Sequence, residues 1–107
     1  MLATAGFVAA PPAAAEITAA CPWTQGYPPA DLNPTQQIDY AETTATVRVG
    51  PYGACTATNS YAPGQSLTVN CYVTNSYGNT WSYIRGSGWV WDANLRYGGA
   101  GALCKFP

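Results

Sequence analysis

The sequence has no histidine and few charged residues. Aspartate, glutamate, lysine and arginine together make up 8% of the 107 residues. Histidine is the side chain that most often serves as a general base near neutral pH, so its absence removes the usual acid–base catalyst. Glycoside hydrolysis needs two carboxyl groups across a cleft, and Asp92 is the only acid between residues 45 and 95. We therefore expect neither enzymatic activity nor a cofactor, and we expect Asp92 to cap a short helical turn.

A dense cluster of one charge is also missing. Four basic and five acidic residues give a net charge of −1, and the basic residues are scattered along the chain. Nucleic acids and anionic membranes are bound through concentrated positive charge. The apolar runs are short as well, since a membrane helix needs about 18 consecutive apolar residues and Pro11 and Pro12 interrupt the first run. These absences predict a protein that binds no nucleic acid and does not insert into a membrane.

Residues 1–15 are uncharged and largely apolar, and they end in three alanines. A short apolar run followed by small residues is typical of a secretory signal peptide and its cleavage site. The basic residues that normally precede such a run are absent, which a start codon upstream of Met1 would explain. A disordered tail rich in alanine and proline is the alternative interpretation. We favour a signal-peptide remnant, and hence a secreted protein that is extracellular or associated with the cell wall.

Four cysteines are many for so short a chain, and their number is even. A domain of this size buries too little surface to be very stable without help, and disulfides are the usual help in oxidising compartments. A metal site is disfavoured because metal-binding cysteines are usually closely spaced or combined with histidine. The cysteines therefore predict two disulfides, for which three connectivities are possible.

The rest of the chain divides into segments of different pattern. Residues 16–43 contain several prolines and no regular period, which predicts an extended arm. In residues 44–97, short stretches of alternating apolar and polar residues are separated by turn signals, which predicts short antiparallel strands. Residues 98–107 form a glycine-rich tail that contains Cys104. We expect an all-β fold, a small antiparallel barrel of about five short strands with a disulfide-tethered N-terminal arm.

Five motifs in the latter part of the chain occur in an order that resembles the bacterial SH3 domain. They are VRVGP at residues 47–51, APG at 62–64, LTV at 67–69, WSYI at 81–84 and GWV at 88–90, closed by Leu95. The resemblance covers roughly half of the chain, and the tail that ends in Cys104 is similar to the tails of small secreted actinobacterial members. It implies an SH3-like barrel, a single 3₁₀ turn after the last strand, and binding to peptidoglycan or its peptides.

For the disulfides, we expect Cys55 to pair with Cys71 and Cys21 to pair with Cys104. Cys71 follows Leu67 and Val69 in a period of two, which predicts that it points into the core with them. Cys55 lies in the loop that is expected to fold back over that core. The second disulfide would then tie the arm to the tail beside the barrel.

The last two predicted strands are rich in aromatic residues that suit either packing or binding. Ile84 and Val90 are the better core candidates, because they are β-branched and lie at facing positions. This choice leaves three tryptophans partly exposed, namely Trp81, Trp89 and Trp91.

A ligand groove follows from the analogy with eukaryotic SH3 domains, in which loop and strand aromatics form the binding surface. The corresponding positions here are Tyr52, Trp81 and Trp91. Tyr83 lies beside them, and Asn94 stands where those domains have a tyrosine. The alternative interpretation is that these side chains pack in the barrel, and for some of them it must hold.

Together these expectations describe a secreted, non-catalytic binding module, monomeric, that recognises peptidoglycan or its peptides through an aromatic groove. One alternative is a secreted protein that binds or inhibits another protein. A further alternative is a fragment of a cell-wall hydrolase. The chain would then carry only the targeting part, which binds the wall.

Overall fold

Short strands joined by tight turns make up the fold. The computed structural model describes residues 20–25, 28–32 and 37–106, so the expected signal peptide lies outside the described residues. The all-β fold of short antiparallel strands is confirmed. The six strands are followed by one 3₁₀ turn at Asp92–Asn94; they are β1 Gln37–Tyr40, β2 Ala45–Arg48, β3 Ala57–Tyr61, β4 Ser66–Thr74, β5 Thr80–Ile84 and β6 Gly88–Trp91.

All six strands belong to one sheet in the order β1-β4-β5-β6-β2-β3. Strands β1 and β3 are its two edges, so the sheet is not closed into a barrel. Strand β1 lies within the segment for which the sequence predicts an extended arm. Only Asp39 of its four residues is fully buried, and so short a strand shows no alternating pattern. No helix in the described part of the chain is long and apolar enough to cross a bilayer.

One side of the sheet, which we call the inner face, carries the aliphatic core. Ile84 and Val90 are both buried there, as the sequence predicts. Strand β2 alternates as expected, with Ala45 and Val47 buried between partly exposed residues. The remaining core residues are Ala41, Leu67, Val69, Leu95 and Ala100.

A β-bulge in β4 breaks the period of two on which the cysteine pairing depends. Val69 lies opposite Ile84, whereas Cys71 lies opposite Tyr83, and the register shifts between these pairs. Because neighbouring residues of a strand point to opposite faces, Cys71 points away from Ile84 and the inner face. We call the side that carries Cys71 and Tyr83 the outer face.

The structure contains two disulfides, as expected, but the expected pairing is wrong. Cys21 is bonded to Cys55 and Cys71 is bonded to Cys104. The expectation placed Cys71 in the core beside Leu67 and Val69, and the bulge turns Cys71 towards the outer face instead. Each disulfide therefore joins one terminal part of the chain to the body of the fold.

The two terminal parts lie side by side along β4. We call the described residues 20–32 the N-terminal segment and residues 96–106 the C-terminal segment. Beyond the end of β1, the Tyr72 N–H of β4 donates to the Ala102 carbonyl at 2.8 Å, and the Cys104 N–H donates to the Tyr72 carbonyl at 2.9 Å. The Ala30 N–H in turn donates to the Lys105 carbonyl at 2.7 Å. The C-terminal segment thus takes the place of a neighbouring strand for the second half of β4.

The bulged residue itself holds the N-terminal segment. Asn70 is buried, and its side-chain amide donates to the Ala30 carbonyl at 3.0 Å. The Leu32 N–H donates to the Asn70 side-chain oxygen at 2.9 Å. Because a buried amide must be hydrogen-bonded, these contacts explain how Asn70 is accommodated within a β-sheet interior.

Candidate functional site

Aromatic rings cover the outer face at the end of the β5–β6 hairpin. The ring of Tyr83 lies 5.1 Å from that of Trp89, measured between centroids. Trp23 of the N-terminal segment packs against Trp89 with an edge-to-face geometry at 5.5 Å. The ring of Phe106, in the C-terminal segment, also lies 5.8 Å from that of Trp23. These separations fall in the range that aromatic pairs prefer.

A groove opens beside this cluster, between the N-terminal segment and the turn that joins β5 to β6. Its volume is about 410 Å³. The rings of Trp23, Tyr83 and Trp89 form part of its walls, together with Pro28 and Pro29. None of the described residues that line the groove is charged. We call this feature the aromatic groove.

The close approach of the N-terminal segment depends on a glycine. A Cβ atom on Gly50 would lie 2.7 Å from the Trp23 Cβ and 2.9 Å from the Cys55 Sγ. Contacts below 3.0 Å are essentially never made by real Cβ atoms. Gly50 therefore lets the Cys21–Cys55 disulfide and Trp23 lie directly on the outer face.

The candidate ligand residues from the sequence do not come together in one open groove. Of the five, only Tyr83 lines the aromatic groove. Tyr52 is buried, and its ring packs against Tyr77 at the β4–β5 loop. Trp91 is half-buried and faces Trp81 on the neighbouring strand. Ligand binding by these residues stays a prediction, and the geometry supports it best for Tyr83.

Asn94, the fifth candidate, contributes to a loop contact. Its backbone carbonyl accepts the Glu42 N–H at 2.8 Å. Its side-chain oxygen accepts the Thr43 hydroxyl at 3.1 Å. The contacts join the 3₁₀ turn to the loop between β1 and β2.

The expected partial exposure of the tryptophans is confirmed for Trp91 and wrong for the other two. Trp81 is 1% exposed and Trp89 is 3% exposed. The terminal segments and the loop around Tyr52 cover the outer face, which the strand pattern alone leaves open. The Trp81 Nε1 has no hydrogen-bond partner among the described residues, and an unpaired buried donor is costly.

The sequence analysis missed Trp23, because it lies in a segment without a regular period. The available signal was its position two residues after Cys21. A disulfide fixes the neighbouring residues beside its partner, so Trp23 had to lie close to whichever loop Cys21 joined. Because the predicted disulfide pairing was wrong, the spacing from Cys21 did not predict that Trp23 lies near Cys55.

Asp92 does not cap the 3₁₀ turn as expected. No side-chain capping hydrogen bond is present at this turn. The Asp92 Oδ1 instead accepts a buried hydrogen bond from the Ser82 hydroxyl at 2.6 Å. Burial, which disfavours the charged form, raises the pKa of Asp92 to about 6. The described residues contain no group of three or more side chains that could hold a metal ion.

Comparisons with protein-family models, with curated proteins and with solved structures find no match to this chain. The relation to the bacterial SH3 domain stays a prediction that rests on the sequence motifs.

Proposed function

We propose that this protein is a secreted, non-catalytic binding module that holds a cell-envelope ligand, peptidoglycan or its peptides, in the aromatic groove. The observation that carries the proposal is the groove itself, in which aromatic rings and prolines line an opening of about 410 Å³. Pockets that hold small ligands are concave, mostly apolar and carry a few polar groups.

The chemistry of the walls suits sugar rings and short peptides. The faces of Trp23 and Tyr83 offer stacking and CH contacts, and both side chains are partly exposed. Gln25 and Ser87 are exposed at the groove and supply hydrogen-bonding groups. Because no described lining residue is charged, the groove favours a ligand whose contact surface is neutral.

The covalent structure supports an extracellular setting for this module. Two disulfides are consistent with an oxidising compartment. The signal-peptide pattern of residues 1–15 adds secretion to the proposal. A ligand of the cell envelope is one that such a protein would meet.

Co-sedimentation with purified peptidoglycan tests the proposal. Tyr83→Ala and Gln25→Ala should each weaken binding, the first by about tenfold or more because anchoring aromatics carry much of the binding energy. Tyr97→Ala is the matched control, since Tyr97 is 67% exposed and lies outside the aromatic groove.

The outcomes separate the proposal from its alternatives. Wild-type protein that stays in the supernatant would contradict peptidoglycan as the ligand and favour a protein partner. Wild-type binding that Tyr83→Ala and Gln25→Ala leave unchanged would contradict the aromatic groove as its site. Melting curves of each variant show whether a loss of binding reflects a loss of fold.

A further inference from the structure

Two buried carboxyl groups lie near the same glycine of the C-terminal segment, Gly99. Asp39 of β1 is 1% exposed, and Asp92 of the 3₁₀ turn is 6% exposed. Ser82 of β5 is fully buried and its hydroxyl is hydrogen-bonded to Asp92. We call these three residues the acid clip.

The acid clip holds three residues of the C-terminal segment, all within residues 97–100. The Asp39 carboxylate accepts the N–H groups of Tyr97 and Gly99, each at 2.9 Å. The Ser82 hydroxyl donates to Asp92 and accepts the Ala100 N–H at 2.9 Å. Both acidic residues therefore act on the same short stretch, residues 97–100.

The fit between the acid clip and this stretch is close. Gly99 has a φ of +88°, and a Cβ atom there would collide with the Asp92 carboxylate and the Ser82 hydroxyl. Only glycine allows the backbone to lie this near to the two side chains. The stretch is thus sensitive to the charge and position of the Asp92 carboxylate.

No positive charge balances the pair among the described residues. Arg96, the cation nearest in sequence, bonds Glu42 at 3.0 Å. Arg85 pairs with Asp31 at 2.9 Å. Arg48 donates to the Cys55 carbonyl. The fourth cation, Lys105, is exposed. The buried Asp92 carboxylate is therefore disfavoured by desolvation and by the charge of Asp39, with no cation bonded to it among the described residues.

We propose that the acid clip is a pH-dependent fastening, in which Asp92 takes up one proton in mildly acidic surroundings and residues 97–100 dock more firmly on the sheet. Protonation of Asp92 removes its repulsion with Asp39 and the cost of burying its charge. The disulfide at Cys104 keeps the C-terminal segment attached at any pH, so the change is confined to the stretch that precedes it.

The direction of the effect follows from the pKa of Asp92. Desolvation raises this pKa most, the charge of Asp39 raises it further, and hydrogen bonds from Ser82 and Thr80 lower it; the result is about 6, against an ordinary value of 3.8. A group with a raised pKa in the folded state favours the fold when it is protonated. The gain is complete below pH 3.8 and is lost as the pH rises through 6.

Amide hydrogen exchange of Gly99 and Ala100 measures the docking directly. After correction for intrinsic exchange rates, their protection should be about 10- to 100-fold higher at pH 4.5 than at pH 7.5, because each unit of pKa shift is tenfold in the equilibrium. Asp92→Asn should abolish this pH dependence and keep the two amides protected at pH 7.5. Asp31→Asn is the control, since Asp31 is an exposed acid, and it should behave as wild type.

Carbon NMR titration of the wild-type Asp92 carboxyl keeps the proposal testable if Asp92→Asn does not fold. A midpoint near pH 6 is expected. A midpoint near 4, or protection of Gly99 and Ala100 that stays constant or falls on acidification, would overturn the proposal. The aromatic groove takes no part in these measurements, so the outcome is independent of its ligand.

Discussion

The two faces of the sheet are stabilised in different ways. The inner face carries the aliphatic core, which is formed mainly by strand residues together with Leu95 after the 3₁₀ turn and Ala100 of the C-terminal segment. The outer face is aromatic, and it is covered by the two terminal segments, each held by a disulfide. The inner core thus depends mainly on the strand pattern, whereas the outer layer depends mainly on contacts of the two terminal segments with the sheet.

This difference places the candidate site. On the inner face, the strand side chains form one core cluster with Leu95 and Ala100. On the outer face, the N-terminal segment packs on the strand residue Trp89 through Trp23. The aromatic groove is the opening beside Trp23. A binding site is therefore expected on the face that is closed by the terminal segments.

Trp81 tests whether the outer layer contributes to stability as much as the inner core does. Trp81→Ala should reduce the free energy of unfolding by about 3–5 kcal/mol, as for other large buried aromatics. Ile84→Ala on the inner face should cost about 2–5 kcal/mol. Urea denaturation of both variants measures the two losses.

Trp81→Phe is the matched control for that pair. It keeps most of the ring and removes the Nε1 that has no partner among the described residues, so it should cost clearly less than Trp81→Ala. A Trp81→Ala variant as stable as wild type would show that the outer layer adds no stability.

The two disulfides give a nearly matched pair of cross-links. They join residues 34 and 33 positions apart, so the loss of either should cost a similar amount, about 3–4 kcal/mol from chain entropy in the unfolded state. The variants are Cys21→Ser/Cys55→Ser and Cys71→Ser/Cys104→Ser. Thermal melting compares their stabilities.

Ligand binding should separate these two variants. The Cys21–Cys55 disulfide fixes Trp23 on the outer face, so its removal should also weaken binding in the aromatic groove. Equal loss of binding in both variants, with the fold retained, would contradict the special role of the N-terminal segment.

The smallest expected effect concerns the ion pair between the N-terminal segment and the end of β5. The Arg85 guanidinium and the Asp31 carboxylate are 2.9 Å apart, and both side chains are nearly half exposed to solvent. Arg85→Gln should cost about 0.2–1 kcal/mol, since exposed pairs contribute little. The difference from wild type should shrink further in 1 M salt, and a loss as large as that for a disulfide would show that the pair anchors the segment.

Particular residues show how far sequence reasoning reaches here. Ile84 and Val90 are buried as β-branched strand residues, as expected, although they are not opposite each other: Ile84 lies opposite Gly88 and Val90 opposite Ser82. Cys71 was placed on the wrong face because one extra residue, Asn70, reverses the alternation after it, and a bulge has no clear pattern in an isolated strand. The position of Asp92 at the start of the 3₁₀ turn predicts a cap. Its burial and its hydrogen bond to Ser82 depend on tertiary contacts that this position does not reveal.

The sequence by itself determined the all-β class, the need for two disulfides and most of the aliphatic core, because these depend on composition and on periods of a few residues. Tertiary structure decided which cysteines pair, which tryptophans are covered and where the aromatic groove opens. The physical reason is that the covering segments have no periodic pattern of their own. Their positions follow from a bulge, a glycine that allows close approach and two cross-links, all of which depend on contacts between distant parts of the chain.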